Sequence, residues 1–160
     1  LDWRDGGWVR RPGGSGRELC WFPDPVGPAD CYRAAGADSL LLVNCLGPLE
    51  RVTARLAATR RDRLTARLPM LRPPHPEGQT GAVRTEVRGR IGDRYDTLVY
   101  GAFDRPAVAA GAVAAVAAVA LGRGELGMGP GARGLAGSDR ARDLLADLAS
   151  RGVKAAAFTG

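Results

Sequence analysis

Gly122, Gly124 and Gly127 stand in G-x-G-x-x-G spacing, and Gly129, Gly131 and Gly134 repeat it directly downstream. That spacing can cradle a pyrophosphate if a strand precedes it and a helix follows. The glycines then allow a tight turn and close backbone approach, and the helix's first N–H groups face the anion. Neither copy has that context. The first follows a run, Pro106 to Leu121, that alanine content, a proline start and a glycine end mark as helix. Gly127, Gly129, Pro130 and Gly131 then forbid the helix it would have to open. The second copy has no strand before it, and the better helix start lies later, at Ser138-Asp139. Both copies read as a loop between helices. No cofactor-binding residue is expected in this chain.

Other residues with chemical potential are few. His75 is the only histidine and sits in PPHPEG, with Glu77 two residues on. One such pair in a proline-rich loop is not an acid–base constellation. Cys20, Cys31 and Cys45 are odd in number and show no C-x-x-C spacing. That disfavours a disulfide framework and a zinc site, so reduced thiols in a cytoplasmic protein, with no metal, are the expectation. Trp3, Trp8 and Trp21 with Arg4, Arg10 and Arg11 have the aromatic and basic mix that tracks a nucleic-acid single strand. Core or interface tryptophans beside a basic edge give the same mix. The sequence assigns no catalytic residue.

The elements that must position any site follow from periodicity and punctuation. Residues 1–17 read as short extended pieces and turns. Glu18 to Phe22 reads as a strand stopped by Pro23 and Pro25, and PADCYRAAG as one or two helical turns. Leu40 to Leu46 is expected to be a buried strand. In the segment after it, Leu49, Val52, Leu56 and Ala57 fall at helical spacing, with arginines mainly on the other sides. The clearest strand signal is AVRTEVRGRIGDRYDTLVYGAF, two alternating runs about Gly92-Asp93, which predicts a hairpin over about 82–103. The alanine-rich segment at about 106–121 is apolar all round, as a helix buried on most sides would be. Ala107, Gly111 and Ala115 lie four apart, so close packing against one face is expected. A last helix from Ser138 or Asp139 carries Leu144, Leu145, Leu148 and Ala149. VKAAAFT follows as a short final strand.

These elements specify an α+β fold: a mixed or antiparallel sheet containing the hairpin, packed against helices. At 160 residues the chain suits one domain, spanning 1–160. Its 45% hydrophobic and 25% charged residues are ordinary for a globular protein. The charge of +6 is carried almost wholly by arginine. Arginine for lysine, with abundant alanine, is what a GC-rich coding sequence produces, so nucleic acid is not the expected partner. The alanine-rich helix is too short for a convincing membrane span, and no leader is visible, so no membrane is expected either.

The order of WFPDPVGPADCYRAAG, RTEVRGRIGDRYDTLVYGAFDRPAVAAGAVAAVAA, GARGLAG and LLADLASRGVKAAAFTG resembles the C-terminal half of saccharopine-dehydrogenase-like oxidoreductases. The resemblance covers roughly residues 18–160. It implies a substrate-binding and dimerisation domain whose N-terminal Rossmann domain is missing here. NAD or NADP would act in the full-length protein, and none would be bound by this chain, which would be inactive alone. It implies a homo-oligomer, a small-molecule substrate in the interdomain cleft, and a helix from Pro106 that returns along the nucleotide domain. On that basis Tyr100, Arg105, Arg133 and His75 are the candidate substrate contacts. The alternative class is a non-enzymatic module that binds an acidic protein or RNA through an arginine-rich helix, Arg51 to Arg67.

Overall fold

The computed structural model describes residues 1–65, 67–68 and 79–158, with side chains described as far as Lys154. They form two compact units. The first comprises Leu1–Cys20, Ala29–Leu71 and Ala120–Ala141, and the second Trp21–Pro28, Arg72–Val119 and Arg142–Gly160.

In the first unit, β1 (Asp2–Arg4) and β2 (Gly7–Val9) pair antiparallel about a two-residue turn. Asp5 and Gly6 both take positive φ, 47° and 82°, as a type I′ hairpin turn requires and as the Asp-Gly dipeptide favours. β5 (Arg51–Val52) joins the other edge of β1, and the six-residue helix α1 (Asp38–Val43) lies against both. A second small sheet has the order β3 (Glu18–Trp21), β4 (Pro28–Arg33), β6 (Arg55–Ala57). Cys31 and Tyr32 of β4 are buried. So is Asp2, whose carboxylate pairs with Arg33 Nε at 3.0 Å and, less closely, with Arg4. A buried carboxylate is tolerable only with such partners.

The second unit is built on an eleven-by-eleven hairpin, β7 (Gly81–Ile91) and β8 (Arg94–Asp104), in register from Gly81↔Asp104 to Ile91↔Arg94. Gly92 takes φ +62° at the first central position of the turn, where glycine carries no steric penalty. β9 (Lys154–Phe158) pairs antiparallel with the other edge of β8. The helix α3 spans Pro106–Gly122 and α4 spans Ala141–Ser150. The α+β class with antiparallel sheets, the hairpin, the alanine-rich helix and the last strand are as the sequence predicts.

Three local expectations are overturned. Leu40 to Leu46 is not a strand: three consecutive leucines are good helix formers, and Asp38 sits in the first turn of α1, where a helix favours a negative charge. PADCYR is strand β4 and not a helical turn, because β6 supplies it with backbone partners, Cys31↔Ala57 to Arg33↔Arg55. The arginine-rich helix over 51–67 reduces to α2, Arg60–Thr65. Before α2, Val52 pairs with Trp3 and Leu56 with Tyr32, so β pairing overrides a helical spacing of apolar residues.

Among the described residues, nothing packs closely on the Gly111 face of α3, whose partner the resemblance places in the missing domain. Val116 and Ala120 are buried, but Val108, Val113, Val119 and Leu121 are exposed. A Cβ placed on Gly111 would meet nothing within 4 Å. A helix apolar all round thus has only one stripe covered.

Candidate functional site

Arg105 stands at the joint between β8 and α3. With Pro25, Thr80, Phe103, Asp104, Gly152 and Lys154 it lines an open depression of about 250 Å³ in the second unit. Three elements bring these groups together. β8 ends on Phe103 and Asp104, and β9 runs beside it so that Lys154 falls opposite Phe103. The chain reaches β9 through Gly152, left-handed at φ +91°. There the N–H groups of Gly152 and Val153 donate back to the carbonyls of Ala149 and Leu148, a glycine-capped end to α4.

Lys154 Nζ lies 5.5 Å from the Phe103 ring centroid, within cation–π range. Asp104 Oδ1 accepts the Arg105 backbone N–H at 2.7 Å. Among the described residues, the depression presents the side chains of Arg105, Lys154, Asp104 and Thr80, with two apolar walls, Pro25 and Phe103. The first turn of α3 adds partial positive charge beside it. This arrangement suits a small anion with an apolar part, such as a carboxylate.

Of the candidate substrate contacts among the described residues, Tyr100, Arg105 and Arg133, only Arg105 lies here. Tyr100 is three residues back on β8, hence on the opposite face of the sheet from Phe103. Arg133 belongs to the first unit and folds over its own loop, with Nη2 3.9 Å from where a Gly129 Cβ would stand. His75 lies outside the described residues. Lys154 was not among the candidates. Its one signal is that it is the only lysine in a chain whose other basic residues are arginine.

The two faces of the hairpin differ in an unexpected sense. Val83, Thr85, Val87 and Ile91 share a face with Leu98 and Tyr100, their diagonal or direct partners. These apolar residues are exposed: Val83 66%, Val87 50%, Ile91 62%, Leu98 43%, Tyr100 53%. On the charged face Arg84 and Glu86 are the more covered, at 24% and 20%, whereas Arg88, Arg90 and Tyr95 are exposed. Part burial pushes the Glu86 carboxyl up, but hydrogen bonds from Arg88 and Arg84 outweigh it and hold it below the usual range. On the apolar face, Arg94 and Asp96 neutralise one another at 3.0 Å.

The glycine motif acts as a helix end. Gly124 N–H donates to Leu121 O and Glu125 N–H to Ala120 O, both at 2.9 Å, with Gly124 at φ +68°. This is a Schellman cap with Gly124 at C′, and no strand precedes it. In the second copy, Gly129 to Gly134 form bends and irregular backbone that lead into a short 3-10 turn, Leu135–Gly137. Neither segment has the strand–turn–helix context of a dinucleotide fingerprint.

Trp3 and Trp8 meet edge to face at 5.0 Å, and Trp3 Nε1 donates to Leu49 O. All three cysteines are free. Cys31 is buried, and burial together with the neighbouring Cys20 pushes its thiol up to about 12. Among the described residues, no three His, Cys, Asp or Glu cluster in a way that could hold a metal ion, and no helix is long and apolar enough to cross a membrane. No family model matches the chain, and no curated protein matches it.

Proposed function

We propose that this chain is the substrate-binding and dimerisation domain of a cytoplasmic NAD(P)-dependent oxidoreductase of the saccharopine-dehydrogenase-like kind. The observation that carries the reading is the uncovered apolar surface of the second unit. A regular row from Val83 to Tyr100 faces outward on the hairpin, and α3 leaves most of its apolar circumference exposed. Contiguous apolar surface of this kind marks an interface. The sheet face carries no unbalanced charge, because Arg94 and Asp96 pair on it, so it suits an identical face related by a two-fold axis.

The depression at Arg105 and Lys154 supplies the substrate side. Arg105 and Lys154 would meet the anionic end of a small molecule, and Phe103 and Pro25 cover the apolar part. The dinucleotide would be held by a preceding domain, since this chain's glycine loops lack the strand–turn–helix context. The part played by this chain is positioning of the substrate and exclusion of water.

Light scattering of the purified chain at micromolar concentration tests the assembly. A dimer is expected, and a clean monomer at every concentration would contradict it. For the substrate side, Arg105→Gln and Lys154→Gln should each weaken binding of a small carboxylate. Unchanged binding in both would remove the depression from the reading.

A further inference from the structure

The first unit holds a groove that the proposed substrate and dimer surfaces do not use. It lies between the Gly13-Gly14 turn and α2, occupies about 630 Å³, and is lined by Gly13, Gly14, Arg60, Arg63 and Leu64. That volume is within the range of small-ligand sites. We propose that this groove binds phosphate groups, with Arg60 and Arg63 as the two guanidinium ligands.

The charges are arranged for it. α2 carries Arg60, Arg61 and Arg63 against one acid, Asp62. Asp62 is turned away into a reciprocal cap. Its Oδ2 accepts Thr59 N–H at 2.8 Å and Thr59 Oγ1–H at 2.7 Å, and Asp62 N–H donates back to Thr59 Oγ1. Among the described residues, no carboxylate lines the groove. Arg60 and Arg63 are three apart on one helix face, a like-charge arrangement that an anion between them relieves.

Arg63 is held in place. Its guanidinium lies 4.2 Å from the centroid of the buried Tyr32 ring, and Nη2 makes one long hydrogen bond, 3.4 Å, to Gly14 O. One of five donors is so engaged, and the planar fork suits phosphate oxygens. On the opposite wall, Gly14 takes φ +73° and has no side chain, so a ligand can approach the backbone. Arg10 and Arg11, exposed just before the turn, extend the positive field. Two guanidiniums match the double charge of phosphate better than the single charge of a carboxylate.

The phosphate can come from a small phosphorylated molecule or from a nucleic-acid backbone. The test is calorimetric titration of the full chain with pyrophosphate, then competition by a single-stranded RNA. Pyrophosphate is expected to bind, with Arg60→Gln weakening it about tenfold or more. That variant leaves the Arg63–Tyr32 contact intact, and circular dichroism checks its fold. Arg151→Gln, which removes the same charge from an exposed position elsewhere, should leave binding unchanged. RNA that displaces pyrophosphate, with steep salt dependence, assigns the backbone as the source; RNA that does not compete assigns a small ligand. No binding of pyrophosphate, equal binding by Arg60→Gln, or equal loss in Arg151→Gln would overturn the proposal.

Discussion

Val87→Asp separates an interface on the hairpin from a merely exposed sheet. Val87 stands directly opposite Leu98, half exposed on the apolar face. Fully burying a valine side chain contributes about 1.5–3 kcal/mol, so the half still open represents about 1 kcal/mol per copy and about 2 kcal/mol in a two-fold dimer. The aspartate removes that gain and adds the cost of desolvating two carboxylates, several kcal/mol each. The sum exceeds about 4 kcal/mol, a weakening of association by a factor of about 1,000. In the free chain the same change costs only about 1 kcal/mol, since the side chain already faces water on one side. Size-exclusion chromatography with light scattering, beside a denaturant melt, reads both quantities. The expected result is a monomer of nearly unchanged midpoint. A variant as dimeric as the parent chain would refute the assignment of this face.

Gly111→Ala should stabilise the chain by about 0.5–1 kcal/mol, because the position is interior to α3 and open space surrounds it; a denaturant melt showing destabilisation would mean that something packs there. Gly124→Ala should cost about 1 kcal/mol through its φ of +68° and leave calorimetric titrations with NADH and NADPH unchanged; micromolar dinucleotide binding abolished by it would restore the fingerprint reading. Glu86→Gln should destabilise by about 1 kcal/mol at neutral pH. Because the folded carboxyl is held below its unfolded value, this contribution is present above the usual range of about 4.3 and is lost as pH falls through the lower folded value, so the melts of parent and variant should converge in acid. A gap that persists in acid would show that the charge of Glu86 is not the cause.

Long, regular elements were legible in the sequence. The hairpin's alternation and its glycine turn, and the proline and alanine of α3, act locally and agree with the fold. The short elements were not. Leu40 to Leu46 and Leu49 to Ala57 carry periods too short to separate helix from strand, and pairing with β1 and β4 decided the latter. Alternation located the hairpin but not its covered face, because which face meets water depends on neighbours far along the chain. Arg105 was reachable from its place between strand and helix. Lys154 was not, because β9 pairs with β8 across fifty residues of intervening sequence. That a helix and not a strand leads into Gly122 was readable in advance from the alanine-rich segment before it.

The most direct test of the proposed place of the chain in a two-domain oxidoreductase is the coding sequence upstream of Leu1. The expected result is an in-frame segment with a buried strand, a G-x-G-x-x-G turn, a helix and an acidic residue about 20 positions further on. An in-frame domain without that pattern, or a start codon immediately before Leu1, would contradict it.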